Sequence, residues 1–212
     1  MRLPVDKNSR VMTSPITHSD LSGADFPLGA SISTPYPPRF TQCLQFVLTH
    51  EGGGRVNRDS GGVTKWGISQ RAYPELDIVS LTLEDVTEIY FRDYFSPNLS
   101  CPIDLLYFDS AVNCGKVRAG KWLQASINGY LPRNYIEIDG VIGPLTIEAL
   151  KYCPQDLLTL SLLNVRLLYY YSLRKTHAEY FSGWIGRVAD LIGVLSEGCY
   201  DASLIKSTQG SL

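Results

Sequence analysis

Residues 39–54 read RFTQCLQFVLTHEGGG, and this stretch decides the fold. Its apolar side chains recur at helical spacing, at Phe40, Leu44, Val47 and Leu48. The spacing predicts an amphipathic helix packed by one face. Glu51, eleven residues after Phe40, should project from that face, and the glycines at 52–54 end the helix. Because an apolar face and the negative end of a helix both disfavour a charged carboxyl, Glu51 is a candidate general acid.

A short hairpin follows the glycines, with Asp59 in its turn and residues 63–68 as its return strand. Asp59 and Thr64 lie eight and thirteen residues after Glu51. A hairpin folded past the helix end would bring a carboxylate and a hydroxyl to face Glu51, as glycoside hydrolysis requires. Trp66 on the same hairpin is a candidate for substrate contact. The structural alternative is a solvated glutamate at a helix end and an aspartate that only forms the turn.

A resemblance to a known family is carried by Glu51-Gly52-Gly53, Asn57, Asp59, Gly61-Gly62, Thr64 and Gly67-Ile68-Ser69. This pattern resembles the signature of glycoside hydrolase family 108, the bacterial and phage N-acetylmuramidases. The resemblance implies a lysozyme-like fold with Glu51 as the catalytic acid. The loop that carries Asp59 is shorter than the usual form in the family, so the role of Asp59 transfers less directly. The order Glu, Asp, Thr also resembles the triad of phage-type lysozymes, with each gap one residue shorter.

Two further segments extend the resemblance. The family pattern Asp-x-Ala-x-Asn-x-Gly is matched at Asp109, Ala111, Asn113 and Gly115. Asp109 and Asn113 fall four residues apart on one side of a predicted helix, where they either line the cleft and bind substrate or form a structural polar network. Gly183-Trp184 and Arg187 resemble the closing Gly-Trp-x-x-Arg of the family and predict the start of the last helix.

Residues 139–146, DGVIGPLT, form a glycine-rich turn that leads into a helix, with Pro144 at an early helical position. The segment resembles the Asp-Gly-x-x-Gly-Pro-x-Thr turn of peptidoglycan-binding modules, including the small module that commonly follows the catalytic part of family 108. Asp139 and Thr146 are therefore candidates for substrate binding. The alternative is that both residues only build the turn.

A long apolar segment from Gln155 to Thr176 predicts a central core helix. The side predicted to be buried carries Leu157, Leu160, Asn164, Leu167, Leu168 and Tyr171. Earlier in the chain, Thr82 and Asp85 have the spacing of a helix-capping pair.

Composition bounds the possible functions. The 212 residues, with a net charge of −2, suffice for one core or for one domain with a small appendage, and the charge gives no reason to expect a nucleic-acid partner. The sequence contains no membrane span and no signal peptide, which predicts synthesis in the cytoplasm and another route to the wall. Only three histidines are present, so no metal site and no cofactor are expected. The five cysteines are odd in number and widely spaced, which predicts free, mostly buried thiols.

The predicted organisation is an N-terminal arm at residues 1–38, a catalytic part at 39–128, a helical peptidoglycan-binding part packed on it at 129–200, and a tail at 201–212. The fold class is α+β, predominantly α-helical, and lysozyme-like with a small β-hairpin at the active-site cleft. The resemblance implies hydrolysis of the β-1,4 bond after N-acetylmuramic acid in peptidoglycan, in phage lysis or wall penetration.

The expected partners are peptidoglycan and, through the arm, proteins of a virion. One alternative is a catalytically inactive wall-binding or virion structural protein that kept the fold. The other is a chitosanase-like hydrolase, against which the basic residues beside Glu51 argue: Arg55, Arg58 and Lys65.

Overall fold

The computed structural model describes residues 35–59 and 62–196. Within these ranges the helices are α1 (Pro38–His50), α2 (Leu83–Asp93), α3 (Ile103–Cys114), α4 (Lys116–Asn128), α5 (Pro144–Leu150), α6 (Gln155–Leu173) and α7 (Ala178–Ser196). The strands are β1 (Asn57–Asp59), β2 (Gly62–Lys65) and β3 (Ile68–Ser69), paired antiparallel in the order β1-β2-β3. The predominantly helical α+β class predicted from the sequence is confirmed.

Helix α1 has the predicted apolar face, because the four residues that define it are all buried: Phe40, Leu44, Val47 and Leu48. The helix begins at Pro38, one residue before the predicted start, since proline suits a first helical position, where no backbone N–H is needed. It ends at His50 with Glu51 as its C-cap, and Gly52 and Gly53 follow with φ of 76° and 64°. The predicted glycine termination is therefore confirmed.

The residues before α1 pack on the core. The ring of Tyr36 lies 5.3 Å from that of Phe40 and 4.9 Å from that of Phe91, measured between centroids. The last part of the predicted arm thus belongs to the described fold. Residues 1–34 of the arm and the predicted tail, 201–212, lie outside the described residues.

Helix α3 is the centre of the core. Every residue of α3 except Val112 is buried, and the helix packs against α1, α4 and α6. Polar side chains on such a helix must find partners inside the protein. Near its start, Asp104 accepts a hydrogen bond from Arg39 Nε at 2.8 Å.

The sheet is more irregular than the predicted hairpin. Thr64 of β2 pairs with Asn57 on one side and with Ser69 on the other. Trp66 does not continue the strand as predicted, because it has a φ of 45° and, with Gly67 at φ 77°, forms a tight turn between β2 and β3. A left-handed φ is uncommon for a non-glycine residue and marks local strain.

The prediction for the buried side of α6 is wrong. Four of its chosen residues are exposed: Leu157, Leu160, Leu168 and Tyr171. The side that packs inward carries Leu158, Thr159, Leu162, Leu163, Arg166 and Tyr170. Leucines occur on both sides of this helix, so the apolar pattern alone could not select the packed side.

The predicted starts of two helices are confirmed and one is wrong. Thr82 and Asp85 form a capping box at the start of α2, and Pro144 is the first residue of α5. The last helix begins at Ala178 and not at Gly183. No helix within the described ranges is long and apolar enough to cross a membrane.

The second half of the described chain packs on the first half. Helix α6 contacts α3 and α4, α7 packs against α6, and α5 contacts α4. The division predicted between residues 128 and 129 stays a prediction. Helix α7 nevertheless carries Arg187, which pairs with Glu51, and α6 carries Arg166, which pairs with Asp109.

The prediction that all cysteines are free thiols is wrong for Cys101, which is disulfide-bonded. Three others, Cys43, Cys114 and Cys153, are free and buried, as predicted. The number and spacing of cysteines along a chain do not show which of them meet in the fold.

We expect a thiol reductant to lower the thermal unfolding midpoint of the protein by several degrees, because a native disulfide contributes about 2–4 kcal/mol. Calorimetry with and without reductant measures the shift. The Cys101→Ser variant is the control, since its midpoint should not respond to reductant. An unchanged midpoint in the wild-type protein would show that the bond is absent in solution.

Candidate active site

Glu51 lies at the end of α1 with its carboxyl turned inward. Only 1% of its side-chain surface is exposed. Oε1 accepts a hydrogen bond from Arg187 Nη1 at 2.8 Å, in an ion pair that joins the end of α1 to α7. Oε2 is buried and has no hydrogen-bond partner among the residues that the structure describes. One carboxyl oxygen is thus committed to arginine, and the other remains for chemistry.

The turn between β2 and β3 covers the free oxygen. A Cβ atom on Gly67 would lie 2.5 Å from both Glu51 Oε2 and the hydroxyl of Tyr90. The Tyr90 hydroxyl donates to the carbonyl oxygen of Trp66 at 2.8 Å, which holds the turn in place. The Gly67 turn therefore packs directly against the buried Oε2 atom.

The Trp66 ring is packed on two sides. A Cβ atom on Gly54 would lie 2.7 Å from its Cζ2 atom, so the ring rests directly on that glycine. Lys65 Nζ lies 4.7 Å from the ring centroid and donates to the carbonyls of Val79 and Leu81 at 2.9 and 2.8 Å. Trp66 is half-buried, and its predicted role in substrate contact stays a prediction.

The other two predicted catalytic residues lie on neighbouring strands. Thr64 is 8% exposed, and its Oγ1 is buried without a partner. The backbone of Asp59 pairs with Gly62, but its side chain lies outside the described part of the structure. The predicted approach of Asp59 to Glu51 therefore stays a prediction.

Asp109 is completely buried in the middle of α3. Its Oδ1 accepts from Arg187 Nε at 2.8 Å, and its Oδ2 lies 2.5 Å from Arg166 Nη1. Burial raises the pKa of Asp109, but the charges of Arg187 and Arg166 outweigh it and lower the pKa to about 2. Asp109 is therefore ionised at neutral pH, and the structure does not place it at a surface that substrate can reach.

Asn113 belongs to the same buried network. Its Oδ1 accepts from the Tyr170 hydroxyl at 2.5 Å, and that hydroxyl accepts from Arg166 Nε at 2.9 Å. The Tyr170 ring stacks on Trp184 of α7 at 5.2 Å between centroids. The structural alternative left open by the sequence thus describes the positions of Asp109 and Asn113 better than the cleft-lining prediction does.

The glycine-rich turn is held by Gln124 of α4. Gln124 Nε2 donates to Asp139 Oδ1 at 2.7 Å, and the backbone N–H of Gly140 donates to Gln124 Oε1 at 2.7 Å. The hydrogen bonds from Gln124 and from the backbone of Val141 lower the pKa of Asp139. Thr146 is 3% exposed. Asp139 and Thr146 therefore help to build the turn, and their predicted contacts with substrate stay predictions.

Sequence reasoning missed Arg166 and the function of Arg187. An arginine inside a leucine-rich helix is a usable signal, because arginine is almost never fully buried unless it is paired. Arg187 belongs to the Gly-Trp-x-x-Arg motif, but no sequence feature near Arg187 indicates that it pairs with Glu51, which is 136 residues away. Within the described ranges, no cluster of three or more histidine, cysteine or acidic side chains could hold a metal ion.

We expect Gly67→Ala to reduce the hydrolytic rate by at least about tenfold, because the added methyl group must displace the Glu51 carboxyl or the Tyr90 hydroxyl. The rate on purified peptidoglycan measures the loss. Gly52→Ala is the matched control, since Gly52 has almost the same φ, 76° against 77°, with no atom within 4 Å of a Cβ. Both variants should lose stability through backbone strain, but equal loss of rate in both would remove steric contact as the cause.

Comparison with known proteins agrees with this geometry. Residues 44–115 match the model of the family described as Glycosyl hydrolase 108. The structure of SagA from Brucella abortus is similar to this chain, with 26% sequence identity, a TM-score of 0.64, and coverage of 77% of this chain and 97% of that chain. No curated protein sequence matches this chain. The matches confirm the family resemblance for residues 44–115 and the lysozyme-like fold predicted from the sequence. The resemblance of residues 139–146 to a peptidoglycan-binding module stays a prediction.

Proposed function

We propose that this protein is a glycoside hydrolase that cleaves peptidoglycan as an N-acetylmuramidase. The match of residues 44–115 to the glycosyl hydrolase 108 model and the similarity to SagA support this proposal. The bond is the β-1,4 linkage between N-acetylmuramic acid and N-acetylglucosamine. The supporting observation is the Glu51 carboxyl, which is buried, anchored through one oxygen to Arg187 and unpartnered at the other.

In this proposal Glu51 protonates the glycosidic oxygen through Oε2. Access requires the Trp66–Gly67 turn to shift, and the left-handed backbone of Trp66 makes this turn a strained element beside the reacting group. Trp66 then offers its ring to a sugar face, since aromatic rings stack on the apolar faces of sugars. The chemistry needs no metal ion, because the acid is a side chain.

Asp59 is the proposed base, with Thr64 helping to hold the attacking water. The Thr64 hydroxyl supports this role because it is buried and has no hydrogen-bond partner within residues 35–59 and 62–196. A hydroxyl of this kind is available to a bound water or to substrate. Inverting glycosidases leave room for such a water, with carboxyl groups about 6.5–9.5 Å apart.

We therefore expect inversion at the anomeric carbon. Proton NMR of the first product formed from a soluble glycan fragment measures its configuration. A β-linked substrate should give the α-anomer first. An initial β-anomer means retention, and it would assign Asp59 the role of nucleophile.

The proposal is tested by digestion of purified peptidoglycan followed by mass analysis of the reducing ends. N-acetylmuramic acid at the new reducing ends is the expected result. Ends of glucosamine type would indicate another glycan specificity, such as the chitosanase-like alternative, and absence of products would favour an inactive wall-binding protein.

The proposed setting is lysis of a host by a phage or penetration of a wall, with the enzyme made in the cytoplasm. Attachment to a virion through the N-terminal arm is part of this proposal. Arg55 and Arg58 follow Glu51 closely in the sequence. Their positive charges suit an anionic wall polymer better than a cationic glucosamine polymer.

A further inference from the structure

We propose that Asp109 and Arg166 act through Arg187 to set the pH range in which Glu51 is protonated. This inference rests on the proposed function and deepens it, because it assigns positioning residues to the same site. Neither Asp109 nor Arg166 touches the glycan, and neither is on the segment that contains the catalytic residues.

The geometry is a row of alternating charges. One guanidinium, that of Arg187, donates to Glu51 Oε1 through Nη1 and to Asp109 Oδ1 through Nε, both at 2.8 Å. Its Nη2 atom lies 2.7 Å from the same Asp109 oxygen. The opposite oxygen of Asp109 pairs with Arg166 at 2.5 Å. The charge of Asp109 therefore acts on Glu51 across a single guanidinium group.

All four groups are shielded from water: Glu51 is 4% exposed, Arg187 5%, and Asp109 and Arg166 are both 0% exposed. Two arginines and one ionised aspartate leave one positive charge for Glu51 to balance. Without Asp109 the remaining groups, Arg187 and Arg166, would carry a net charge of about +2. Without Arg166 the charges of Arg187 and Asp109 would cancel, and no net positive charge would act on Glu51. Charges in such a place act strongly because little solvent screens them.

Two tyrosines near Glu51 do not ionise near neutral pH. Burial raises the pKa of Tyr90 well above its usual value, with a further contribution from Glu51, and burial also raises the pKa of Tyr94. Tyr90 on α2 and Tyr94, which follows that helix, are therefore neutral near neutral pH. The neighbouring His50 lies 3.1 Å from Asp190 of α7. Neither of these two residues is substituted in the variants below.

The same geometry places the proton. An arginine side chain only donates hydrogen bonds. A proton on the Glu51 oxygen that faces Arg187 would place two hydrogen-bond donors against each other, which is unfavourable. The proton belongs on Oε2, which faces Gly67 and has no partner. Arg187 thus selects the oxygen that donates, and Asp109 holds Arg187 in the orientation that does so.

The expected signs follow from the charges. A negative neighbour favours the protonated form of Glu51, and a positive neighbour favours the carboxylate. In Asp109→Asn the alkaline limb of the rate profile should therefore move to lower pH, by about one unit or more. In Arg166→Gln it should move to higher pH. The double variant removes one charge of each sign and should return towards the wild-type position.

The experiment measures kcat/KM against pH on a soluble glycan fragment for the wild-type protein, the two single variants and the double variant, with Arg166→Lys as the charge-conserving control. We expect the alkaline limb of the profile to shift in opposite directions in the two single variants. It should return towards the wild-type position in the double variant and should not shift in the Arg166→Lys control. Shifts of the same sign, or equal losses of rate with no shift, would overturn the proposal, because loss of packing cannot reverse the direction of a pH limb.

Substitutions in this cluster can prevent folding, so a measurement on the wild-type protein accompanies them. The side-chain N–H resonances of Arg187 should move at the pH at which the Glu51 carboxyl carbon titrates. The Asp109 carboxyl carbon should stay in its ionised position over that range, because the pKa of Asp109 is lowered to about 2. Arg187 resonances that ignore the titration of Glu51 would reject the coupling.

Failure of this inference is separable from failure of the proposed function. If the wild-type protein releases products ending in N-acetylmuramic acid but the pH limbs do not move as expected, only the coupling is rejected. If the wild-type protein releases no such products, the proposed function is rejected, and the NMR titration still tests the coupling between Glu51 and Arg187.

Discussion

Glu51→Gln should lower the hydrolytic rate by a factor of about a hundred to ten thousand, the usual contribution of a general acid, while the fold is retained. The amide has the shape of the carboxyl, and its oxygen can still accept the hydrogen bond from Arg187 Nη1. What the amide lacks is a proton that can be donated to the glycosidic oxygen. Release of reducing ends from purified peptidoglycan measures the effect, and circular dichroism checks the fold.

Glu137→Gln is the matched control, since Glu137 is exposed and lies outside the site. It should keep the wild-type rate. If Glu51→Gln keeps more than about a tenth of that rate, Glu51 is not the acid. In that case the ion pair with Arg187 would have only a structural role.

Arg187→Met should lower the free energy of unfolding by about 3–5 kcal/mol, because it leaves the buried carboxylates of Glu51 and Asp109 without their shared cation. Methionine fills much of the same volume, so the loss comes mainly from charge and not from a cavity. Denaturant unfolding at neutral pH measures the change. Since Asp109 keeps its pair with Arg166, the lower end of the range is expected.

The control for this prediction is Arg133→Met, an exposed arginine whose replacement should change stability by less than about 0.5 kcal/mol. A loss below about 1 kcal/mol in Arg187→Met would mean that the two carboxylates do not depend on Arg187 in solution. The inference about pH range would then lose its structural basis.

Local features of the sequence were enough for much of the active-site framework. The spacing of Phe40, Leu44 and Val47 predicted the packed face of α1, and the glycines after Glu51 predicted where that helix ends. Both predictions depend only on residues that are close together in the sequence and on the backbone conformations that these residues favour. The capping box of α2 was predictable for the same reason, because its two residues are three positions apart.

Prediction failed where neighbours in space are far apart in the chain. The packed side of α6 could not be chosen because leucines lie on both sides, and only contact with α3 and α4 selects one. The spacing of cysteines did not identify the bonded state of Cys101. The alternation of apolar residues predicted that Trp66 continues the strand. In the structure Trp66 lies in a turn that is held by a hydrogen bond from Tyr90, which is 24 residues away in the chain.

The sequence by itself determined that a glutamate ends a buried helix face beside a glycine hinge and a short hairpin, because each of these features is set within a few residues. Only the tertiary structure decided what surrounds the carboxyl. Arg187 is 136 residues from Glu51, and Asp109 is 78 residues from Arg187. Charges separated so far along the chain meet only when α1, α3 and α7 pack together. Because these groups are buried away from water, they pair with one another and, in the case of Asp109, with Arg166 as well.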